Sequence, residues 1–393
     1  MISSLPFTLV SPLPHLSHMA TSEFHNPVRT YFGANCLTHL VEFCPAGPIV
    51  LLTTDGTVTR GLAQRIVTLL PHHETNIVAG VTSNPTIRDL QLLTQRVKYH
   101  TPTAIIALGG GSVIDAAKVI AACLAAPDSW SLESALGNGQ AWHGNKLIPI
   151  IAIPTTAGTG AEVTPFATVW DEQNHKKLSL ANTALFPYVA LIDPTLLVGS
   201  PREILLSCGL DALSQGLEAY WNRNATTATD EMAIRAVKLA LHALPAVLAD
   251  LPSDQDFTDM AQASHLAGLC ISHTRTALAH AMSYPMTAHF GVPHGLACGI
   301  TLPALLRFNA DGLGADKMPP LVAKLGMQTV SDFAIQLENL LATIEAKKHI
   351  HAYINNASLI LPFASEMVYP GRSDNNIRSA SVSDIEKILQ QSL

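Results

Sequence analysis

The first half of the chain, from about residue 26 to residue 193, alternates short β-branched runs with amphipathic segments of helical length. The runs that predict strands are 49–53, 77–79, 104–108, 147–153 and 189–192. Such alternation is typical of parallel strands joined by helices, the α/β class. After Pro194 these runs stop, and Ala- and Leu-rich segments separated by Pro and Gly predict an all-α second half.

The length of 393 residues exceeds what one ordinary hydrophobic core organises. Ser200, Pro201 and Glu203 supply an N-cap hydroxyl, a first-turn proline and a carboxylate for a capping box, so a helix is predicted to begin at Pro201. We therefore predict an irregular leader over 1–23, an α/β dinucleotide-binding domain over 24–199 and an all-helical metal-binding domain over 200–393.

Composition narrows the class of partner. Apolar residues make up 48% and charged residues 13%, which excludes a disordered chain and favours a large buried fraction, including a homodimer interface. The net charge of -7 and the lack of a Lys/Arg block argue against nucleic acid and anionic membranes as partners. The first basic residue is Arg29, so no signal peptide is indicated, and the six scattered cysteines indicate reduced thiols. A cytoplasmic protein is predicted.

A predicted strand runs into Gly109, Gly110, Gly111 and Ser112, and a helix containing Asp115 follows. Glycines allow a ligand to approach the backbone closely, and free amides at a helix start attract an anion such as a pyrophosphate. The pattern is not G-x-G-x-x-G, and a tight connection without a ligand is the alternative.

A second hydroxyl-rich loop with Thr155, Thr156 and Thr159 follows another predicted strand, where parallel sheets bind ligands. Its alternative is a plain Thr-rich turn. Asp55, after the strand 49–53, can accept hydrogen bonds from a ribose and repel a 2′-phosphate, or it can simply begin a surface turn.

In the helical half, Asp211 and Gln215 are four residues apart and share a helix face with Cys208, a face that is otherwise apolar. An ionised Asp on such a face needs a partner or a cation. With His280 and His294, they form a donor set suited to Fe²⁺ or Zn²⁺, with a position left free for substrate. Each histidine alone is more often structural; the combination predicts the metal site.

The sequence closely resembles the iron-dependent, group III alcohol dehydrogenase family, which shares its fold with dehydroquinate synthase. The resemblance runs from Phe24 to the end and rests on GGGSVIDAAK (109–118), PTTAGTGAE (154–162), CGLDALSQGLE (208–218) and residues 280–295. It implies that 109–112 hold the pyrophosphate and that Asp55 favours NAD(H) over NADP(H). It also implies that Thr155, Thr156 and Thr159 line the adenosine and ribose side, with Lys177 near the nicotinamide ribose.

Two positions depart from the family pattern. The second metal position, normally His, is Gln215, and the His one turn after the third ligand is Tyr284. An amide oxygen binds a borderline metal more weakly than an imidazole does. Tyr284 is therefore predicted to supply the proton, with metal-bound water relayed through the nicotinamide ribose as the alternative. His280 is predicted to act both as ligand and as part of the catalytic centre.

The stretches 24–29, 280–286 and 370–378 look like those of the branch that reduces phosphonoacetaldehyde, and this narrower resemblance implies a phosphonate substrate. Arg275, Arg372 and Arg378 are the candidate anion-binding residues. The leading hypothesis is metal-assisted reduction of an aldehyde by NADH. A dehydrogenase of small primary alcohols, a lyase of the dehydroquinate synthase type and an inactive nucleotide-binding protein are the rivals.

Overall fold

The computed structural model describes residues 21–393 except positions 143, 145, 175 and 313. Most of the predicted leader, 1–20, lies outside the described residues. A parallel sheet occupies the first half and helices occupy the second, so the predicted fold class is confirmed. The predicted domain boundary at residue 199 lies between the last strand and the first α-helix of the helical half. That boundary stays a prediction, and so does the homodimer.

The strands are β1 Arg29–Phe32, β2 Ile49–Thr53, β3 Thr75–Val78, β4 Ala104–Gly109, β5 Ile150–Pro154, β6 Phe166–Asp171, β7 Lys176–Ala181 and β8 Val189–Ile192. Six of them form one sheet in the order β1-β8-β5-β4-β2-β3, with every pair parallel. β6 and β7 form a separate antiparallel hairpin.

The helices of the first half are α1 Leu40–Phe43, α2 Asp55–Thr59, α3 Leu62–Thr68, α4 Ile87–Tyr99, α5 Gly111–Ala125 and α6 Leu132–Asn138. Alternate residues of the central strands enter two apolar layers, one on each face of the sheet. Val50 and Leu52 pack on the face that holds α4 and α5, whereas Ile49 and Leu51 pack on the opposite face. Both faces are therefore covered, as near-continuous apolar strands require.

The helices of the second half are α7 Arg202–Tyr220, α8 Thr227–Val247, α9 Asp254–Thr274, α10 Leu278–Phe290, α11 His294–Gly299, α12 Leu302–Ala310, α13 Met318–Lys324, α14 Val330–Thr343, α15 Ala346–His351 and α16 Val382–Ser392. They surround the largest apolar core of the chain, with α7 at its centre. Within the described residues, none of these helices combines the length and apolarity that crossing a bilayer requires.

Several boundaries differ from the predictions. β3 begins at Thr75 and ends at Val78, and β5 begins at Ile150 rather than 147. The capping box predicted at Ser200 is wrong: α7 begins at Arg202, with Pro201 as its N-cap residue and no side-chain cap. β1 and the β6–β7 hairpin were not among the predicted strands. β1 is short and largely exposed and β7 carries two lysines, whereas β6 is mostly apolar and its run was overlooked.

The sheet has a topological switch point between β2 and β4. The chain leaves β2 toward β3 on one side, and leaves β4 toward β5 on the other. Loops that diverge in this way leave a crevice at the carboxyl ends of the two strands, where such sheets bind ligands. Thr53 and Leu108 pair across these strands, so the segment starting at Asp55 and the glycine turn starting at Gly109 lie at that same edge.

Two glycines bring the Thr-rich loop against the helical half. Gly160 has φ +60, and a Cβ added to Gly268 of α9 would lie 2.6 Å from the Cα atom of Gly160. Backbone therefore packs on backbone, with no room for a methyl group.

We predict that Gly268→Ala lowers the free energy of unfolding by about 1–3 kcal/mol, because an added methyl overpacks this contact. Urea unfolding followed by circular dichroism measures it. The matched control is Gly137→Ala in α6, where a Cβ meets nothing within 4 Å. Equal effects of the two substitutions would contradict the close packing.

Candidate metal and nucleotide site

Three of the four predicted metal ligands converge on one point of the helical half. Asp211, His280 and His294 each place one ligand atom there, together with Cys298, and these atoms all lie within 4.8 Å of one another. Asp211, His280 and Cys298 are buried, and His294 is partly buried. The cluster contains oxygen, nitrogen and sulfur donors, a set typical of transition-metal sites.

Local backbone features place these groups. Gly291 ends α10 in the left-handed conformation, and Pro293 is the N-cap residue of α11, so the chain turns sharply between His280 and His294. A Cβ on Gly295 would lie 1.8 Å from the carbonyl oxygen of Ser207. The absence of a side chain at Gly295 thus lets α11 lie directly against α7.

Glu218, fully buried two turns after Asp211 on α7, fixes the ring of His280. Its carboxylate lies 2.5 Å from Nδ1 of His280 and accepts the backbone N–H groups of Ala277 and His280. This leaves Nε2 of His280 toward Asp211, at 3.2 Å from Oδ1. A carboxylate behind a metal-ligating imidazole orients the ring and raises its basicity.

His294 is held in a similar way from two sides. Its Nδ1 lies 3.1 Å from Oγ of Ser283, and its Nε2 lies 3.2 Å from Nζ of Lys177 on β7. Burial, followed by the positive charge of Lys177, lowers the pKa of His294 well below its usual value. The neutral imidazole that results retains a lone pair for a metal.

The other two ligands have opposite pKa shifts. Burial alone would raise the pKa of Asp211, but the hydrogen bond from His280 holds that pKa below its ordinary value. Burial alone would lower the pKa of His280, but electrostatic interactions with Cys298 and Glu218 raise it well above normal. The carboxylates of Asp211 and Glu218 are both buried beside this ring, and a bound cation would compensate their charge.

Gln215 lies one turn after Asp211 on α7 and is 3% exposed. Its Oε1 atom has no hydrogen-bond partner among the described residues. A buried carbonyl oxygen without a partner is costly unless a ligand satisfies it. The expectation that this helix face is otherwise apolar is wrong, because the face also carries the buried Glu218. The residues present therefore fit a divalent transition metal.

The glycine turn and the Thr-rich loop form the predicted nucleotide end. A Cβ on Gly110 would lie 2.9 Å from Oγ1 of Thr156, and one on Gly111 would lie 2.6 Å from Oγ1 of Thr159. Gly110 precedes α5 without a side-chain cap, so the first amides of a long helix remain free for an anion. This cradle suits a pyrophosphate, as the sequence predicts.

The remaining predicted cofactor residues differ in their exposure and in their hydrogen-bond partners. Asp55 is exposed in the first turn of α2 at the switch point, and Thr155 is buried beside Gly109. Ser112 accepts the backbone N–H of Asn84 through its hydroxyl.

Asp115, the other predicted cofactor residue of α5, has its carboxylate engaged by protein groups. Its carboxylate accepts the N–H of Thr168 and lies 3.5 Å from the ammonium of the fully buried Lys118. The carboxylate is thus engaged with the β6–β7 hairpin.

Tyr284 lies one turn after His280 and contacts two cationic side chains, those of Lys177 and Arg372. Its ring centre is 4.7 Å from Nζ of Lys177, and its hydroxyl accepts a hydrogen bond of 3.2 Å from Nε of Arg372. Arg372 also donates to Oγ of Ser179 on β7. Burial opposes ionisation, but the charges of Lys177 and Arg372 outweigh it and lower the pKa of Tyr284.

Arg275 lies near Arg372. Burial, and then the positive charge of Arg372, lower the pKa of Arg275. Asn375, in the Arg372 loop, donates to the carbonyl of Thr276, which joins the two segments. Arg378 is not brought to this site: its guanidinium donates to the carbonyl of Phe308 and lies 3.9 Å from the centre of that ring.

Sequence reasoning missed three contributors, Cys298, Glu218 and Ser179. The helical spacing of four residues from His294 could have indicated Cys298. The spacing of seven from Asp211 could likewise have indicated Glu218. Ser179 gave no signal, because its strand was not predicted.

Comparison with known proteins agrees with this geometry. The family model "Iron-containing alcohol dehydrogenase" matches residues 27–194, and the C-terminal model of the Fe-containing alcohol dehydrogenase family matches residues 205–393. The chain belongs to the iron-containing alcohol dehydrogenase family and is an oxidoreductase of that class.

Named relatives add detail. Phosphonoacetaldehyde reductase of Streptomyces viridochromogenes is 34% identical over 336 residues, covering 81% of this chain and 84% of that protein. A 1-propanol dehydrogenase of Salmonella typhimurium is 30% identical, covering 90% of each. The structure of sulfoacetaldehyde reductase from Bifidobacterium kashiwanohense in complex with NAD⁺ superposes with a TM-score of 0.84 at 26% identity, covering 95% of this chain and 99% of that one.

We predict that Glu218→Gln weakens the affinity for Zn²⁺ by about 10–100-fold, the usual cost of losing a carboxylate behind a ligating histidine. Competition with a chelating dye measures it. Glu203→Gln, at the exposed start of α7, is the matched control. An unchanged affinity for Zn²⁺ in Glu218→Gln would show that Glu218 does not orient His280.

Proposed function

We propose that this enzyme reduces phosphonoacetaldehyde to 2-hydroxyethylphosphonate with NADH. The observation that carries the substrate assignment is the cationic group formed by Lys177, Arg275 and Arg372 beside Tyr284 and the ligand cluster. The relative from Streptomyces viridochromogenes, named for that aldehyde, supports it.

The charge balance of this group favours an anionic substrate. Among the described residues, none of the three cations forms a salt bridge with a carboxylate. Like charges held together in a partly buried site repel each other unless an anion is bound. Guanidinium groups offer the paired donors that phosphonate oxygens accept, so Arg275 and Arg372 supply the recognition.

A phosphonate is favoured over a sulfonate by charge. A phosphonate carries up to two negative charges, whereas a sulfonate carries one, and three cations are better balanced by the larger charge. The similarity to sulfoacetaldehyde reductase is at lower identity and is consistent with the same kind of anion-binding pocket. The sulfonate is the second candidate substrate.

Different residues of the chain have different roles in the proposed reduction. A divalent metal held by Asp211, His280 and His294, with Gln215 as a fourth ligand, would polarise the aldehyde oxygen as a Lewis acid. The nicotinamide supplies the hydride that adds to the carbonyl carbon. Tyr284 donates its hydroxyl proton to the oxygen that becomes the alcohol, which completes the addition of hydride and proton.

Cofactor and metal preference follow from the same residues. Asp55 at the switch point favours the free 2′-hydroxyl of NAD(H) and repels the 2′-phosphate of NADP(H). The imidazoles and the carboxylate suit Fe²⁺ or Zn²⁺ better than Mg²⁺.

We predict that Arg275→Gln and Arg372→Gln each lower kcat/KM for phosphonoacetaldehyde by about 10- to 150-fold, since a hydrogen bond to a charged group contributes about 1.5–3 kcal/mol. For propanal, kcat/KM should change less than it does for phosphonoacetaldehyde. Steady-state oxidation of NADH measures both.

The matched control is Arg307→Gln, whose arginine pairs with Glu338 on the surface of α12. If wild-type enzyme reduces propanal at least as efficiently as phosphonoacetaldehyde, the phosphonate assignment fails and a general alcohol dehydrogenase remains. If sulfoacetaldehyde is preferred, the second candidate replaces the first.

We predict that Tyr284→Phe lowers kcat for aldehyde reduction by about 10²–10⁴-fold, the usual contribution of a positioned proton donor. Because the pKa of Tyr284 is lowered, wild-type kcat should fall as pH rises through that pKa, and the variant should lose this limb. A pH–rate profile that keeps its basic limb in Tyr284→Phe would assign the proton to another group.

A further inference from the structure

We infer that Cys298 is a thiolate ligand of the metal and replaces the imidazole that Gln215 lacks. The inference rests on the metal site proposed above. Cys298 would add a soft sulfur donor, carried by α11, to a predicted ligand set that contains only nitrogen and oxygen donors.

The position of the sulfur supports direct ligation. Sγ of Cys298 lies 4.0 Å from both Nδ1 and Nε2 of His294, and the four ligand atoms lie within 4.8 Å of one another. With Zn–S and Zn–N bonds of about 2.3 and 2.1 Å, two ligands of a tetrahedral metal stand roughly 3.6 Å apart. Because Sγ is equidistant from the two ring nitrogens, it lies beside the ring and not on the lone-pair direction of either one. The four ligand atoms are close enough to share one metal once the side chain of Cys298 changes its rotamer.

The backbone of α11 holds Cys298 in this place. Gly295 and Gly299 flank it, and both contact α7: a Cβ on Gly295 would overlap the Ser207 carbonyl, and one on Gly299 would lie 2.7 Å from Cδ2 of Leu210. α11 is thereby pressed against the helix that carries Asp211. Cys298 is fully buried and faces the cluster rather than solvent.

A packing role alone explains Cys298 less well. A buried cysteine that acts as a small apolar residue has apolar neighbours or donates to a carbonyl. Cys270, for example, donates to the carbonyl of Thr229. Cys298 belongs to the same apolar core as Cys270, but its Sγ also lies against the imidazole of His294, in the same pocket as the carboxylate of Asp211.

The unpartnered amide of Gln215 gives an independent reason. Its buried Oε1 atom, one turn from Asp211, needs a cation or a donor. An amide oxygen holds Fe²⁺ or Zn²⁺ weakly, whereas a thiolate holds them strongly. The thiolate thus supplies the strong fourth donor that the amide does not, and a further position stays free for substrate, so binding should favour Zn²⁺ and Co²⁺ over Mg²⁺ and Mn²⁺.

Cobalt substitution tests the inference with a signal that does not depend on activity. The metal-free, full-length protein is titrated with Co²⁺, and its absorption is recorded. A thiolate ligand gives an intense charge-transfer band in the near ultraviolet beside the weaker visible bands of Co²⁺. We expect that band in the wild type and in the control Cys208→Ser, whose cysteine lies on α7 outside the cluster.

Cys298→Ser should lose the charge-transfer band while keeping the visible bands. It should also bind Zn²⁺ at least about tenfold more weakly, the lower limit for loss of even an outer partner of the metal. Circular dichroism confirms that the variant is folded.

Three outcomes overturn the inference. Co²⁺ binding without a charge-transfer band in the wild type, or a band that survives Cys298→Ser, excludes Cys298 as a ligand and leaves the metal site intact. Failure of the wild type to bind Co²⁺ or Zn²⁺ at all overturns the metal site itself.

A double substitution tests the compensation. If the thiolate makes up for the missing imidazole, Gln215→His in the Cys298→Ser background should restore the affinity for Zn²⁺ to within about threefold of the wild type, since residues sharing one metal are coupled. Additive effects of the two substitutions would overturn this part of the inference.

Discussion

Two carboxylates buried on one helix determine how the second half of the chain is arranged. Asp211 and Glu218 lie on α7, inside the largest apolar core, where an unpaired negative charge is not tolerated. The neighbouring elements satisfy them: α10 brings an imidazole and two backbone amides to Glu218, and the other ring nitrogen of His280 reaches Asp211. The ligand cluster follows from this need for positive or donor partners.

The parts of the fold that repeat a simple periodicity were predictable from sequence. The central strands of the sheet read as continuous apolar runs because both faces of the sheet are covered. The glycine turn was recognisable because three consecutive glycines separate a predicted strand from a helix, and the structure shows that larger residues would overlap Thr156 and Thr159. β1 and β7 were not predictable, since exposed or polar strands carry no apolar run, whereas the apolar run of β6 was present and was overlooked.

For the site, the limits were different. Asp211, His280 and His294 were found because their chemistry is unusual for apolar helices. Cys298 was overlooked because a cysteine in an apolar run reads as core, and only the packing of α11 on α7 shows that it faces the ligands. The location of Arg378 could not be predicted, because it lies in an irregular segment whose path no local sequence pattern determines. In the structure its guanidinium donates to the carbonyl of Phe308 and does not reach the site.

The small β6–β7 hairpin has a consequence for how the reactive pocket comes into being. Lys177 and Ser179 reach the pocket from the first half of the chain, while Tyr284, His294 and Arg372 reach it from the second. A ribosome making this protein has completed the glycine turn long before Arg372 is synthesised. During synthesis the pocket therefore forms only after the second half has been made, because Tyr284, His294 and Arg372 all lie there.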